Sequence, residues 1–319
     1  MGPRNLFEPE IFQGFPKGHR FGLWVTPNAQ PTIGVILAIQ TAGEENNLSR
    51  RFTVEAASRF AELGFATLVF DLYGVGDSAG KTSDVRLQDW RSDLMRVSHQ
   101  MRVRYDLPFY IWGTRLGTLL ATDLLISQSD NTAGLLMWAP LAHGRTWVDQ
   151  LKRDSSFSSD VAQPTHVTSE SFQAPPMDEV IQEDSAVLFG PQSIVSTDNS
   201  DGEDALCSFA GTTFRRSMLT ELQNLSLAPL RRQPSFGATA KVALIGLEPT
   251  NNYRYASAQT KVPPALETIS ATWRSSGYEV YSGAIFSEYF WRSGRSPKPE
   301  SLYGASEKWL LSTLEGGKI

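Results

Sequence analysis

Short, almost wholly apolar stretches, each followed by a segment of helical periodicity, constrain this chain more than any other feature. "TIGVILAIQ" (32–40), "ATLVFDLYG" (66–74), "FYIWG" (109–113), "GLLMWAP" (134–140) and "KVALIGL" (241–247) hold too few polar residues to be strands wet on one side. They read as strands buried on both faces, with "FGLWVTP" (21–27) and "YEVYSGAIF" (278–286) completing the set. Between them, "RRFTVEAASRFAELGF" places Phe52, Ala56, Phe60 and Leu63 on one side and stops at Gly64, and "LQDWRSDLMRVSHQMRVRY" aligns Leu87, Trp90, Leu94 and Val97. Further helical patterns start at Arg115 and run through "RTWVDQLKR", "FRRSMLTELQNL", "VPPALETISATWRSSG" and "SEKWLLSTLEGG". Such alternation predicts an α/β protein with a mainly parallel sheet and helices on both faces.

At 319 residues and 41% hydrophobic content, the chain can bury a sizeable core. Charge is unevenly placed. Asp154 to Ala205 holds eleven acidic residues and no lysine or arginine, leaving 29 basic against 23 acidic residues elsewhere. This segment is also rich in Ser, Thr, Pro and Gln, and such a composition predicts a largely flexible stretch. The expected organisation is one core formed by 1–153 and 206–319, including a cap helix near 214–225, interrupted by an acidic insertion at 154–205. That insertion offers a surface for a basic protein partner. A net charge of −5 argues against nucleic acid as a partner. The single cysteine, Cys207, rules out an internal disulfide and a thiolate metal site. No His/Asp/Glu cluster has metal-ligand spacing and no phosphate-cradling loop ends in Lys-Ser/Thr, so neither metal nor cofactor is expected. No window approaches ~18 apolar residues, and the first residues lack the basic and apolar regions of a signal peptide, so the expectation is a cytoplasmic protein without a membrane span.

Two loops carry chemical interest. "DLYGVGDSAG" follows an apolar strand, and Asp71 and Asp77 read as residues that hold its glycine turn by side chain–backbone hydrogen bonds. "FYIWGTRLGTLLATDLL" reads as strand, tight turn and helix, with Gly113-Thr114-Arg115-Leu116-Gly117 standing where a G-x-S-x-G nucleophile turn would be. With the long insertion after the next strand, these features resemble the α/β-hydrolase fold over most of the chain. "AGEENNLSRR" (42–51), "WGTRLG" (112–117), "WAPLAHG" (138–144) and "GAIFSEYFW" (283–291) narrow the likeness. They resemble the exosortase A system-associated hydrolase proteins (type 2, serine-aminopeptidase-like) of bacterial systems that handle sorting-signal proteins and exopolysaccharide. The matching positions include Glu44, Glu45, Asn47, Ser49, Arg50, Arg51, Arg115, Leu116, Gly117, Trp138, Pro140, Phe290 and Trp291, and "FAGTTFRRSML" loosely matches the family's "AGY" segment. The chain departs by carrying "AIQT" (38–41) where the family prefers proline and phenylalanine, and by its acidic insertion.

In this fold the catalytic order is nucleophile, acid, histidine. Arg115 occupies the nucleophile position, and a guanidinium is never deprotonated in a protein. Thr114 has a hydroxyl but stands one place early on the turn. The loop after the last strand reads "AIFSEYFW", without histidine, and Ser287 within it has no base at hand. The four histidines are His19, His99, His143 and His166. His143 follows a strand end where ligands bind in such sheets, and Glu248 occupies the acid position; with Glu44 they are the weak catalytic candidates. Two readings of Arg115 stay open. It can pair with Glu44 or Glu45, which lie in the loop supplying the oxyanion hole in this fold, or it can offer an open site for a small anionic or acyl ligand. The residues expected to line such a site are Glu44, Glu45, Asn47, Arg115, Leu116 and Trp291. Trp112, Trp138 and also Trp291 read as core more readily than as a ligand platform.

Overall fold

The computed structural model describes residues 6–128, 132–160, 205–228, 240–248, 262–293 and 296–314. Strands β1 (Leu6–Phe12) and β2 (Arg20–Thr26) form an antiparallel pair, and β2 also runs antiparallel to β4 (Phe65–Asp71). From β4 onward the sheet is parallel, taking in β3 (Gly34–Ile39), β5 (Phe109–Thr114), β6 (Gly134–Trp138), β9 (Lys241–Glu248) and β10 (Glu279–Phe286). The spatial order is β1-β2-β4-β3-β5-β6-β9-β10. Every residue of β3, β4, β5 and β6 is buried, as their unbroken apolar runs require.

Helices cover both faces. On one side lie α1 (Glu44–Glu62) and α7 (Glu300–Leu314), whose Phe52, Phe60 and Trp309 pack with Trp112 and Trp138 of the sheet. Those two indoles meet edge to face with centroids 4.5 Å apart. On the other side α2 (Leu87–Arg104), α3 (Leu116–Ser127) and α6 (Pro264–Ser275) bury Trp90, Leu119 and Trp273. Arg20 of β2 and Asp93 of α2, each with 1% of its side chain exposed, pair through Nε–Oδ2 at 2.7 Å and Nη2–Oδ1 at 2.9 Å, tying the antiparallel edge to the helical layer.

Between β6 and β9 the chain leaves the sheet as α4 (Gly144–Asp160), a hairpin of β7 (Leu206–Phe209) and β8 (Thr212–Arg215), and α5 (Arg216–Gln223). The acidic stretch beyond Asp160, including His166, lies outside the described residues.

Two local expectations are corrected, and one strand was not expected. Helix α1 begins at Glu44, six residues before the expected start, with Gly43 at φ 65° as its N-cap, so Glu44 and Glu45 stand in a helical first turn rather than in a loop. Phe214 and Arg215 are strand, because the turn at Ala210 (φ 45°) and Gly211 (φ 78°) returns the chain against β7 before α5 starts. The N-terminal strand β1, with Pro9 and two glutamates, lies at the sheet edge, where a residue without an N–H is tolerated. Among the described residues no helix is long and apolar enough to cross a membrane.

Candidate functional site

The strand order reverses between β3 and β5, so a crevice opens beyond their carboxyl ends. The turn from β5 into α3 stands there. Arg115 has φ 54° and ψ −118°, a left-handed conformation that a side-chain-bearing residue adopts only when its surroundings impose it. The surroundings do so through close backbone approach. A Cβ on Gly113 would lie 2.6 Å from the Gly117 carbonyl, and one on Gly117 would lie 2.1 Å from the Ile39 carbonyl of β3. The turn thus projects its central side chain sharply outward from the strand end, and that side chain is a guanidinium.

Arg115 is 95% buried. Its Nη2 donates to Glu45 Oε1 at 2.8 Å and also to Gln150 Oε1 on α4. Glu45 gathers two more donors on its other oxygen: the Thr41 hydroxyl at 2.8 Å and the Trp147 indole Nε1, from α4, at 3.0 Å. One carboxylate therefore joins the β3 end, the α3 turn and the α4 helix, and the ion pair satisfies a charge that would otherwise cost several kcal/mol to bury (~3–5). The hairpin closes over this cluster, with Phe214 edge-on to Trp147 at 5.8 Å. The Arg115 Nε is buried and donates to no group among the described residues.

The guanidinium face is also occupied. It lies 4.5 Å from the ring centre of Trp291, Trp291 stacks on Tyr289 at 4.8 Å, and the Arg292 guanidinium lies 5.3 Å from the Tyr289 ring. A buried cation and an exposed one are thus linked through two stacked rings, in contacts worth about 0.5–2 kcal/mol each. Beside this stack is a cavity of about 290 Å³. Arg115, Gln150 and Arg292 contribute its polar lining, Leu247, Leu266 and Ile269 much of its apolar lining, and no carboxylate among the described residues lines it.

The other expected residues fall elsewhere. Glu44 and Asn47 bond to each other at 3.1 Å on the exposed face of α1, away from Arg115. Leu116 is fully buried in the core. His143 is exposed and bridges to Ser226, His99 is exposed and His19 is half-buried; none of the three lines the cavity. Glu248 closes β9, where its carbonyl accepts from the Ser287 N–H at 2.9 Å. The segment after it lies outside the described residues. The Ser287 hydroxyl donates to the Glu288 carbonyl at 3.2 Å, and Thr114 belongs to buried β5. Asp71 holds its glycine loop by accepting from the Asp77 N–H at 3.2 Å while pairing with Arg50 at 2.5 Å; Asp77 contributes its backbone to that loop.

Gln150 and Arg292 were not anticipated. The signal for Gln150 is its spacing from Trp147, one helical turn on the same face, and for Arg292 its place beside Trp291.

Residues 46–177 match the sequence model of the family described as serine aminopeptidase, S33. A 73-residue stretch is 38% identical to lysophosphatidylserine lipase ABHD12 of Bos taurus, covering 23% of this chain and 18% of that protein, so less than a fifth of that relative's length is spanned. Among solved structures, a thermostable carboxyl esterase from Bacillus coagulans superposes with a TM-score of 0.58 at 16% identity, covering 97% of this chain and 98% of the esterase. Est1E from Butyrivibrio proteoclasticus, solved with ferulic acid, gives 0.55 at 15% identity over 93% and 96% of the two chains. These likenesses show the α/β-hydrolase fold.

Proposed function

We propose that this α/β-hydrolase-fold chain binds a small anionic or acyl ligand at the Arg115 turn instead of cleaving one by a serine triad. It would act as an accessory or binding protein in an exosortase- or exopolysaccharide-type pathway. The observation that carries the reading is the side chain at the turn. Where a nucleophile would stand there is an arginine bonded to Glu45 and Gln150, and no histidine among the described residues lines the adjoining cavity. A guanidinium cannot attack a carbonyl carbon, but it recognises carboxylates and phosphates. The pathway rests on "AGEENNLSRR", "WGTRLG" and "GAIFSEYFW", which carry the resemblance. A cytoplasmic protein partner with a basic surface would engage the acidic stretch 154–205, and a pulldown with and without that stretch tests this part.

The decisive test exposes the purified protein to a nitrophenyl-ester panel and to a serine-reactive fluorophosphonate. The expected result is no turnover above buffer and no labelled serine; covalent labelling of any serine refutes the reading. Arg115→Ser is expected to gain no hydrolysis, since the turn alone supplies no base.

The strained backbone of the turn supports a second reading: a hydrolase of ester, thioester or peptide bonds with a non-standard site. Turnover that survives replacement of both Arg115 and Glu45 would establish chemistry away from this cluster.

A further inference from the structure

The cavity beside Arg115 combines features that specify a ligand more narrowly than charge alone. Two guanidiniums line it and, among the described residues, no carboxylate does, because Glu45, which pairs with Arg115, is not part of the wall. Its apolar surface comes from the end of β9 (Leu247), from α6 (Leu266, Ile269) and from the stacked Tyr289 and Trp291. At about 290 Å³ it sits at the lower bound of small-molecule pockets, roughly 300–1,000 Å³, which suits a short alkyl chain or one aromatic ring. The carbonyl oxygen of Gln150, which also lines the cavity, is already bonded to Arg115 Nη2. A neutral amide thus holds the place that an anionic oxygen would fill more strongly, since hydrogen bonds between ionised partners are roughly twice as strong as neutral ones. The Nε–H of Arg115, without an acceptor among the described residues, offers a second donor on the same guanidinium plane.

Resting on the binding reading above, we infer that the cavity is a receptor site for an amphipathic monocarboxylate. The carboxylate displaces Gln150 from Arg115 and is shared with Arg292, while the short alkyl or aryl tail lies among Leu247, Leu266 and Ile269. Gln150 and Trp147 attach α4 to this cluster, so ligand binding also replaces one of the two polar contacts that hold α4 against the turn.

Isothermal titration of the full chain with octanoate, octanol and octylamine, and with benzoate as the aromatic counterpart, tests this. One equivalent of octanoate is expected to bind, with octanol and octylamine weaker by about tenfold or more, the loss of one charge-assisted contact. Arg292 is exposed, so Arg292→Gln should fold normally and weaken octanoate several-fold. Gln150→Ala removes the competing acceptor and should tighten it. Equal binding of octanol and octanoate, an unchanged affinity in Arg292→Gln, or no saturable binding of either carboxylate overturns the inference. Nitrophenyl octanoate in parallel separates the two readings. Turnover with serine labelling sinks the binding-only function, whereas absence of both turnover and carboxylate binding sinks this inference alone.

Discussion

Replacing Glu45 by glutamine keeps the size of the side chain, removes its charge and turns one of its two accepting oxygens into an NH2 that faces a donor. The Arg115 and Glu45 side chains are 6% and 13% exposed, so water screens their attraction little. Removing one member of a buried pair costs about 3–5 kcal/mol, because the remaining charge is left in a poor solvent. Two features offset part of that cost. Gln150 still accepts from Nη2, and the Trp291 face still attracts the cation. A loss of about 3 kcal/mol is therefore expected, roughly 4–5 °C in Tm for a chain of this size. Arg115→Met should cost less, since Glu45 keeps the Thr41 and Trp147 donors. The double variant should recover about 2 kcal/mol of the summed losses, within the range found for groups sharing one network. The assay is urea unfolding of the four proteins, read at unchanged m so that shifts in midpoint report stability. Losses that add to within ~0.5 kcal/mol would refute the argument, because additivity is the behaviour of sites that do not interact.

Asp93→Ala should be among the most destabilising single changes, about 3–5 kcal/mol by thermal melting, because Arg20 is left buried and the Tyr73 N–H loses its acceptor. Gly117→Ala should abolish or severely reduce folded yield, since the added methyl would meet the Ile39 carbonyl at 2.1 Å; a near-normal melting curve would contradict the close approach at the turn. Burial raises the phenol pKa of Tyr110, and burial together with the nearby Glu55 carboxylate raises that of Tyr303. Their contribution to stability is present below the unfolded tyrosine value of about 10 and is lost as pH rises through the folded values. Tm should therefore fall from about pH 10 upward, and Tyr303→Phe should flatten that decline.

How far the chain could be read without its structure depended on whether burial or pairing set the local conformation. Strands β3 to β6 and β9 announce themselves because a strand covered on both faces must be apolar throughout. The edge strand β1 gives no such signal. Leu6, Phe7 and Ile11 are exposed, and pairing to β2 alone makes "LFEPEIF" extended. "EENN" looks too polar to open a helix, yet Gly43 can take the positive φ that starts α1 there. That shift places Glu45 toward Arg115 while Glu44 and Asn47 face outward. Gln150 is legible only in part. Its spacing from Trp147 puts the two on one helical face, but its bond to Arg115 comes from where α4 crosses the turn, which no local pattern reports.

The sharing of Glu45 among three elements bears on how such a site changes over generations. Serine at position 115 would leave a carboxylate beside the turn with its cation gone, while Trp147 and Gln150 would still reach across the space an acyl group needs. No single step therefore leads from this arrangement to a nucleophilic one. Replacing Arg115 or Glu45 first lowers stability before any chemistry is gained, so the pair acts as a ratchet.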